Sequence, residues 1–318
     1  MSTRRITTKS SRTAAWTCVS RAASSLEPDG CYRSDDHLAL LLVPMILRIL
    51  LHIPLMRWFF RRAFAPRGIY EYTIARTKCI DKVFVEALAE GFDQAVILGA
   101  GFDTRALRFQ REAVDVTIFE LDVPITQEAK LDRYKEQGLA IPGNVKFIPI
   151  DFDRESLSDK LLHAGFDKGG RSLFVLEGVL MYLQPASVDT TFKVMERLTG
   201  EGSEVVFDYV RASVFREPGS IYGGREIFRS VAKAGERWHF GIEEAQLYAF
   251  LESYGLRARE HENARELEQR YFVDASGEVV GRINGAHCLV RAVRTPVSQK
   301  HGAQRAPRGR SAIYGRAN

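Results

Sequence analysis

Cysteine is scarce in this sequence. Only four of the 318 residues are cysteines, and no two of them form a C-x-x-C pair; they are Cys18, Cys31, Cys79 and Cys288. Disulfide-stapled domains and cysteine-rich zinc sites both need paired cysteines at short spacings. The sequence therefore argues against both, predicts no metal site, and favours a protein of the reducing cytoplasm.

Net charge is also absent from most of the chain. The formal charge is +5, but residues 296–318 contain five basic residues and no acid, which leaves 40 basic and 40 acidic residues in the rest. Nucleic-acid binding depends on a basic surface, so a neutral fold argues against nucleic acid as a partner. The basic end is rich in Gly, Pro, Ser and Arg, which is typical of a disordered tail.

A long uninterrupted hydrophobic run is missing as well. The apolar stretch from Leu38 to Phe60 contains Arg48, His52 and Arg57 together with two prolines. A membrane-spanning helix needs about 20 mostly uncharged residues, and a central arginine costs about 2.5–3.5 kcal/mol on insertion scales. We therefore expect no stable membrane insertion and interpret the stretch as buried or cleft-covering helices, with a role at a membrane surface as the alternative.

From residue 93 onward, short β-branched runs alternate with amphipathic stretches. Strands are predicted at 94–99, 115–121, 145–150, 172–176, 203–210, 256–260 and 286–293. Helices are predicted at 12–26, 35–64, 71–91, 103–110, 124–137, 155–164, 185–199 and 243–254. Such alternation is typical of parallel strands joined by crossover helices. The predicted fold is α/β, with a doubly wound, Rossmann-like sheet of seven mostly parallel strands.

The same pattern gives the expected domain organisation. Residues 1–11 are expected to be disordered and residues 12–92 to form an N-terminal helical cap. Residues 93–295 are expected to form the Rossmann-like core, and residues 296–318 the basic disordered tail. Within the core, about 211–240 shows no clean period and contains "EPGSIYGG", which indicates an inserted lid or loop.

A glycine-rich turn follows the first predicted strand, in "VILGAGFDTRALRF" at 96–109. Gly99 and Gly101 lack a Cβ, which permits positive φ and close approach of a ligand. The second strand ends in "FELD", where Asp122 can accept hydrogen bonds from both hydroxyls of a ribose. Alternatively, Asp122 caps the helix that begins near Pro124. Because ligands bind at the carboxyl ends of the strands in open α/β sheets, the turn predicts a nucleotide site.

The residues after the glycines distinguish between nucleotides. The usual dinucleotide turn has a third small residue and faces a pyrophosphate, but here Thr104 occupies that place and Asp103 puts a negative charge beside it. Asp103 and Arg105 are expected to form an ion pair that shapes the turn. Repulsion disfavours NAD or FAD. A ligand with a sulfonium, an amino group and no phosphate is favoured, and S-adenosylmethionine fits that description.

Five motifs together resemble one family. They are "ARTKCID" (75–81), "LGAGFDTRALRF" (98–109), "FELDVP" (119–124), "IDFD" (150–153) and "LEGVLMYL" (176–183). The sequence resembles the leucine carboxyl methyltransferase-like class I methyltransferases, including a bacterial branch of S-adenosylmethionine-dependent O-methyltransferases of secondary metabolism. The resemblance extends from about residue 12 to residue 294 and implies the class I methyltransferase fold with S-adenosylmethionine as cofactor.

The resemblance also implies which residues bind the cofactor. The expected set is Arg76, Gly99, Gly101, Asp122, Asp151, Phe152 and Glu177. Arg76 would bind the methionyl carboxylate, Glu177 would lie near the methionyl amine, and Asp122 would hold the ribose. Asp151 and Phe152 would flank the adenine.

Four of these residues have other interpretations. Arg76 could instead form a surface salt bridge, and Asp151 could cap a helix. Phe152 could stack on a base or only pack in the core. Glu177 could be a capping residue or a member of a structural ion pair.

No catalytic residue is assigned, because methyl transfer from a sulfonium mainly requires alignment and exclusion of water. Tyr182, Tyr209, Tyr222 and His239 are candidates for a general base, but each is better explained by packing or substrate contact. The acceptor pocket is expected to be lined by the helices of 38–64 and by 211–240, including the aromatic residues Trp58, Phe59, Phe60, Trp238 and Phe240.

This apolar lining predicts a small, largely apolar methyl acceptor with a carboxylate or a hydroxyl group. The N-terminal helix lacks the lysine that the carboxyl methyltransferases proper carry there, which disfavours a protein carboxylate as the substrate. Three alternatives stay open: a carboxyl methyltransferase of a protein C-terminus, a nicotinamide or flavin enzyme on a similar fold, and a non-catalytic binding protein.

Overall fold

The computed structural model describes residues 11–28 and 30–296, without the side chains of residues 63 and 64. Its seven strands are β1 Gln94–Leu98, β2 Thr117–Asp122, β3 Val145–Pro149, β4 Ser172–Leu176, β5 Glu204–Val210, β6 Leu256–Glu262 and β7 His287–Arg294. The segments predicted to be disordered, 1–11 and 296–318, lie outside the described residues except for residues 11 and 296.

The strands form one sheet in the order β3-β2-β1-β4-β5-β7-β6. Neighbouring strands from β3 to β5 are parallel, and β7 is antiparallel to both β5 and β6. Every residue of β1, β4 and β5 is buried, as expected where crossover helices cover both faces of a parallel sheet. The prediction of a doubly wound, mostly parallel sheet of seven strands is confirmed.

Thirteen α-helices surround this sheet in the described residues. They are α1 Arg12–Ser25, α2 Ala39–Leu42, α3 Met45–Leu51, α4 Pro54–Phe59, α5 Ile69–Ala89, α6 Arg105–Arg108, α7 Pro124–Glu136, α8 Leu157–His163, α9 Pro185–Leu198, α10 Ser213–Arg216, α11 Gly224–Ala234, α12 Leu247–Glu252 and α13 Ala264–Tyr271. Short 3-10 turns occur at Leu180–Tyr182, Pro218–Ser220 and Glu244–Gln246, and a π-helical turn at Phe60–Phe64.

The helix expected over 35–64 is divided into short pieces. Pro44 separates α2 from α3, and Pro54 begins α4. A proline inside a helix removes a hydrogen-bond donor and clashes with the preceding turn, so each proline marks a break. In the described residues no helix combines the length and the apolarity that a bilayer crossing requires.

Three helices were not expected: the four-residue α10, and the longer α11 and α13. Helix α11 lies inside the segment 211–240 and buries Ile227 and Val231, which are four residues apart. Helix α13 begins with a capping box, in which Asn263 accepts from the backbone N–H of Glu266 while the Glu266 side chain accepts from that of Asn263. The sequence "NARE" carries this signal.

Helix α5 brings a charged side chain into the interior. Its expected apolar stripe is at most 1% exposed; the stripe consists of Ile74, Ile80, Val83, Phe84 and Ala87. The first half of the helix is buried almost all round, so that Arg76 is also buried. This arginine reaches the carboxyl ends of β4 and β5, where its contacts define the site described next.

Candidate active site

A cavity of about 270 Å³ lies at the carboxyl ends of β1 to β4. The segments that follow these four strands form one wall, and residues from α1, α5 and α11 form the others. All seven residues expected at the cofactor site line this cavity: Arg76, Gly99, Gly101, Asp122, Asp151, Phe152 and Glu177. The structure therefore brings together side chains that are as much as 101 residues apart in the chain, as in the hydrogen bond from Arg76 to Glu177.

The glycine turn has the backbone that only glycine adopts easily. Gly99 has φ +64° and Gly101 has φ +48°. A Cβ on Gly99 would lie 2.4 Å from Cγ2 of Val179, and one on Gly101 would lie 3.3 Å from the Cβ of Ala14 on α1. The turn therefore depends on both glycines for its conformation and for the close approach of neighbouring segments.

Replacing Gly99 by alanine is expected to reduce the free energy of unfolding by about 2–3 kcal/mol, through backbone strain and crowding against Val179. Urea-induced unfolding measures the loss. Gly138→Ala is the matched control, because Gly138 has the same φ of +64° and no atom within 4 Å of its Cβ position. Equal losses in the two variants would contradict the predicted crowding.

Asp122 fastens this turn to the end of β2. Its carboxylate accepts hydrogen bonds from the backbone N–H groups of Gly101 and Val123. The alternative role as a helix cap is wrong, since the N-cap of α7 is Val123 and no side chain caps that helix. Burial raises the pKa of Asp122 to about 6, against the lowering effect of the two N–H donors. The group is thus ionised at neutral pH and retains lone pairs for further donors.

Arg76 forms two buried ion pairs rather than a surface salt bridge. Its Nε lies 3.0 Å from Glu177, and its Nη1 lies 2.8 Å from Asp208 on β5. Asp208 also accepts from the Tyr72 hydroxyl at 2.8 Å and from the backbone N–H of Gly178. Sequence reasoning missed Asp208, because no motif marks it within an apolar strand.

A second arginine completes the environment of Glu177. Arg105 is fully buried and its Nη1 lies 2.6 Å from Glu177 and 2.5 Å from Asp103, while its Nε lies 2.7 Å from Asp81. The predicted ion pair between Asp103 and Arg105 is confirmed. Burial opposes the ionisation of Glu177, but Arg105 and Arg76 outweigh it and hold the pKa of this carboxyl well below its usual range. Glu177 is therefore a fixed negative charge at the cavity wall.

The ion-pair network continues to α1. Asp36 is fully buried and lies 3.2 Å from Arg21 and 3.4 Å from Arg108, and it accepts from the Thr104 hydroxyl at 2.6 Å. Arg21 also donates to the carbonyl of Phe102 in the glycine turn. These contacts hold α1 against the turn, so that α1 becomes one wall of the cavity.

Asp151 and Phe152 lie at the far end of the cavity, after β3. The Asp151 side chain accepts from the backbone N–H of Asp153 at 3.1 Å and lies 3.7 Å from Arg154. The alternative role of Asp151 as a helix cap is wrong, because Ser156 caps α8. Phe152 is half-buried and packs at the edge of the core.

The opposite side of the cavity is apolar and aromatic. Ile227 and Val231 of α11 line it together with Trp238 and His287. The His287 ring stacks on Tyr72 at 4.3 Å between centroids and meets Trp238 edge-on at 5.5 Å. Burial, with a smaller effect of a nearby arginine, lowers the pKa of His287 to about 3, so this imidazole is neutral at physiological pH.

The expectation that the helices of 38–64 line the pocket is wrong. No residue of that stretch whose side chain is described, which leaves out 63 and 64, is among the lining residues. Trp58 and Phe59 are half exposed on the outer surface, and Phe60 stacks on Trp16. Of the aromatic residues expected in the pocket only Trp238 lines it, while Phe240 is buried in the core. The apolar composition of this stretch predicts that its side chains are covered, but it does not identify the surface that covers them.

Of the four candidates for a general base, only Tyr182 lines the cavity. Burial raises its pKa to about 12, so the phenol is protonated at neutral pH. Tyr209 is 3.0 Å from the Nε2 of His261 on the other side of the sheet. Tyr182 is therefore unsuited to removing a proton from an alcohol at neutral pH.

Glu236 closes the cavity beside α1. Its carboxylate accepts from the backbone N–H groups of Arg12 at 2.7 Å and Thr13 at 3.2 Å, and from the Ser11 hydroxyl. A carboxylate at a helix N-terminus satisfies unpaired N–H groups and interacts favourably with the helix dipole. The segment after α11 is thereby joined to the first helix of the described chain.

One mixed cluster outside the cavity has the residue types of a metal site. Single ligand atoms of Glu244, His261 and Cys288 lie within 4.8 Å of one another. However, Arg211 already pairs with Glu244 at 2.9 Å, the Cys288 thiol donates to Glu244, and His261 bonds Tyr209. These contacts satisfy the cluster without an ion.

Comparisons with known proteins point to one family. Residues 14–196 match the sequence profile of the family described as leucine carboxyl methyltransferase. The chain is 31% identical over 199 residues to "Putative S-adenosyl-L-methionine-dependent methyltransferase YktD" of Bacillus subtilis (strain 168), covering 63% of this chain but only 65% of that relative. A protein of Mycobacterium marinum (strain ATCC BAA-535 / M) named "Putative S-adenosyl-L-methionine-dependent methyltransferase" is 32% identical over 232 residues, 71% of each chain.

A solved structure supports the fold over most of the chain. The crystal structure of a DUF574 family protein from Streptomyces avermitilis superposes with a TM-score of 0.54 and covers 87% of this chain and 97% of that one. At 14% sequence identity, the likeness concerns the fold alone.

Proposed function

Since the chain belongs to the leucine carboxyl methyltransferase family, we propose that it transfers a methyl group from S-adenosylmethionine to an oxygen atom of a small, largely apolar acceptor. Membership of the family makes it an S-adenosylmethionine-dependent methyltransferase, and the acceptor is what the proposal adds. The observation that carries it is the division of one cavity into a charged half at the glycine turn and an apolar half at α11.

The charged half suits the cofactor. Asp122 at the end of β2 is placed to accept from the ribose hydroxyls, and Glu177 offers a fixed negative charge to the methionyl ammonium. Arg76 is proposed to face the methionyl carboxylate, with the Gly99 backbone against the methionyl chain. Support comes from the positions of these residues along the cavity.

The adenine is proposed to lie beyond the ribose, between Asp151 and Phe152. Both residues follow β3, the neighbour of β2 in the sheet. A half-buried phenyl ring can stack on a base, and a carboxylate can accept from an exocyclic amine. The cofactor would then extend across the carboxyl ends of β4, β1, β2 and β3.

The apolar half suits the acceptor. Trp238, His287 and the aliphatic side chains of α11 are uncharged, and the neighbouring carboxylate of Glu236 is engaged by the N–H groups at the start of α1. The cofactor, when bound, supplies a methyl group already activated on a sulfonium. The protein aligns the acceptor oxygen with that methyl group and excludes water, and alignment alone can supply about 7–11 kcal/mol of the barrier.

A carboxylate acceptor fits the site better than an alcohol. Carboxylates are ionised at neutral pH and need no base, whereas an alcohol must lose a proton during the transfer. Tyr182 is protonated at neutral pH and His287 is a weak base with a pKa of about 3. We therefore propose that the product is a methyl ester of a small apolar acid.

Incubation of the full chain with methyl-labelled S-adenosylmethionine and small-molecule extracts tests this proposal. We expect label in an organic-soluble product that mild alkali cleaves to labelled methanol, as an ester does. An alkali-stable product would identify a hydroxyl as the acceptor. Label in protein, or no turnover by a chain that binds the cofactor, would contradict the proposed acceptor class.

Removal of the Trp238 indole is expected to weaken acceptor binding while leaving the cofactor in place. The Trp238→Ala variant should raise the acceptor KM about tenfold or more, since an aromatic wall of this size contributes about 1.5–3 kcal/mol when buried. Its Kd for S-adenosylmethionine should change by less than about threefold. Tyr248→Ala, at a side chain 57% exposed on α12, is the control and should behave as the parent. An unchanged KM would show that Trp238 does not contact the acceptor.

A further inference from the structure

Helices α3 and α4 present an apolar surface to solvent. We call it the α3–α4 face, and its members are Met45, Ile46, Leu47, Ile49, Leu50, Ile53, Leu55, Trp58 and Phe59. Met45 and Ile46 are 70% and 72% exposed, and Leu55 is 64% exposed. Isolated exposed apolar residues are ordinary in soluble proteins, but so many within one short stretch mark an interaction surface.

The charge of the surrounding sequence has one sign. Residues 37–70 contain five arginines and no aspartate or glutamate. Arg48 and Arg57 turn inward and donate to the carbonyls of Leu41 and Leu51. Two of the five also pair with acids from other segments, Arg57 with Glu27 at 3.7 Å and Arg67 with Glu226 at 3.6 Å. Arg62 is exposed, with its guanidinium 5.8 Å from the Trp58 ring. An exposed tryptophan beside arginine is typical of a protein surface at a membrane interface.

The geometry suits a surface that lies on a bilayer rather than one that crosses it. Helix α3 has seven residues and α4 has six, whereas a spanning helix needs about 20. Short helices with one apolar side and basic flanks lie in the plane of the interface, with their apolar side chains among the lipid headgroups. Anionic lipids attract an exposed arginine such as Arg62 at the edge of this surface.

We propose that the α3–α4 face docks onto the surface of an anionic lipid bilayer. The apolar side chains of α3 and α4 insert among the headgroups, and Arg62 contacts lipid phosphates. Helix α1 separates this face from the cavity: Trp16 stacks on Phe60 on the outer side at 5.5 Å, and Thr13 and Thr17 line the cavity on the inner side.

Docking of the α3–α4 face would bring the cavity close to acceptors that dissolve in the membrane. An apolar acid partitions into membranes, so a docked enzyme would meet its acceptor at the surface where the acceptor concentrates. That consequence rests on the proposed function, whereas docking itself depends only on the surface and can be tested without any acceptor.

Cosedimentation of the full chain with vesicles tests the proposal. We expect binding to vesicles of phosphatidylcholine and phosphatidylglycerol, weaker binding to phosphatidylcholine alone, and a decrease with added salt. The double variant Ile46→Glu/Leu55→Glu should reduce the bound fraction about tenfold. The control Val114→Glu/Tyr248→Glu places two charges on side chains 70% and 57% exposed elsewhere and should bind as the parent does.

Two further readouts keep the result interpretable. Calorimetry should show unchanged affinity of the double variant for S-adenosylmethionine, which verifies that it is folded. Equilibrium sedimentation without lipid distinguishes a second copy of the chain as the occupant. A parent dimer that the double variant makes monomeric, or a parent chain that ignores anionic vesicles, would overturn membrane docking.

Discussion

Replacing Asp122 by alanine is expected to lower the affinity for S-adenosylmethionine about a hundredfold or more. The cofactor would lose two hydrogen bonds from its ribose to the carboxylate, and hydrogen bonds to a charged group contribute about 1.5–3 kcal/mol each. The substitution would also leave the backbone N–H of Gly101 without this acceptor and so loosen the turn that contacts the cofactor. Isothermal titration calorimetry measures the change.

The control for this variant is an acid outside the cavity. Asp115→Ala removes an exposed carboxylate before β2 and should leave the affinity unchanged. Asp122→Asn keeps the shape and one acceptor oxygen, so it should fall between the parent and the alanine variant. If Asp122→Ala binds as tightly as the parent, Asp122 does not hold the ribose and the proposed cofactor orientation is wrong.

The same residue should make cofactor binding depend on pH. Burial raises the pKa of Asp122 to about 6, and ribose hydroxyls donate to the ionised form. Affinity should therefore be highest above pH 6 and should fall as the pH is lowered through 6, because protonation removes an acceptor. The decrease approaches tenfold per pH unit below the pKa. Asp122→Asn should lack this dependence.

Local sequence patterns were sufficient for the sheet and for one wall of the site. The buried strands are runs of β-branched and aromatic residues, such as "AVIL" in β1 and "LFVL" in β4, and the polar residues that end them must face the cleft in a parallel sheet. Gly99, Asp122 and Glu177 were accessible to this reasoning because each follows or ends a strand.

Contacts between distant segments were not accessible in the same way. Asp208 lies within β5 and 132 residues from Arg76, its partner, and nothing in "VVFDYV" distinguishes a buried ion pair from an exposed acid on an edge strand. Glu236 caps a helix that begins 224 residues earlier. Both contacts depend on tertiary packing, which periodicity does not encode.

The helices before the sheet illustrate a different limit. Their apolar composition predicts a pocket lining, but α3 and α4 turn most of their apolar side chains outward. Hydrophobicity indicates that a side chain avoids water and does not identify what covers it. The apolar residues of α3 and α4 do not line the cavity and instead form the proposed membrane-docking surface.

Asp208 should be among the residues on which the stability of the fold depends most. Asp208→Ala would leave the buried Arg76 guanidinium with one partner fewer and would remove the acceptor of the Tyr72 hydroxyl and the Gly178 N–H. Breaking a buried ion pair by removing one partner costs about 3–5 kcal/mol, and we expect a loss of that size in urea-induced unfolding. Glu136→Ala, which removes an exposed pair with Arg133, should cost less than about 1 kcal/mol.

Asp208→Asn separates the charge of this residue from its hydrogen bonds. An amide oxygen can still accept from two of the three donors, so the asparagine variant should recover part of the lost stability. The recovery should be incomplete, because Arg76 loses the negative charge that offsets the free-energy cost of its burial. If only the shape and the hydrogen bonds of Asp208 mattered, the Asp208→Asn variant would be almost as stable as the parent. Arg76 also contacts Glu177 at the proposed methionyl subsite, so the affinity for S-adenosylmethionine should fall with the stability, in the order parent, asparagine, alanine. A loss for Asp208→Ala no greater than that for Glu136→Ala would mean that Glu177 alone suffices to pair the buried Arg76, and that Asp208 does not position it.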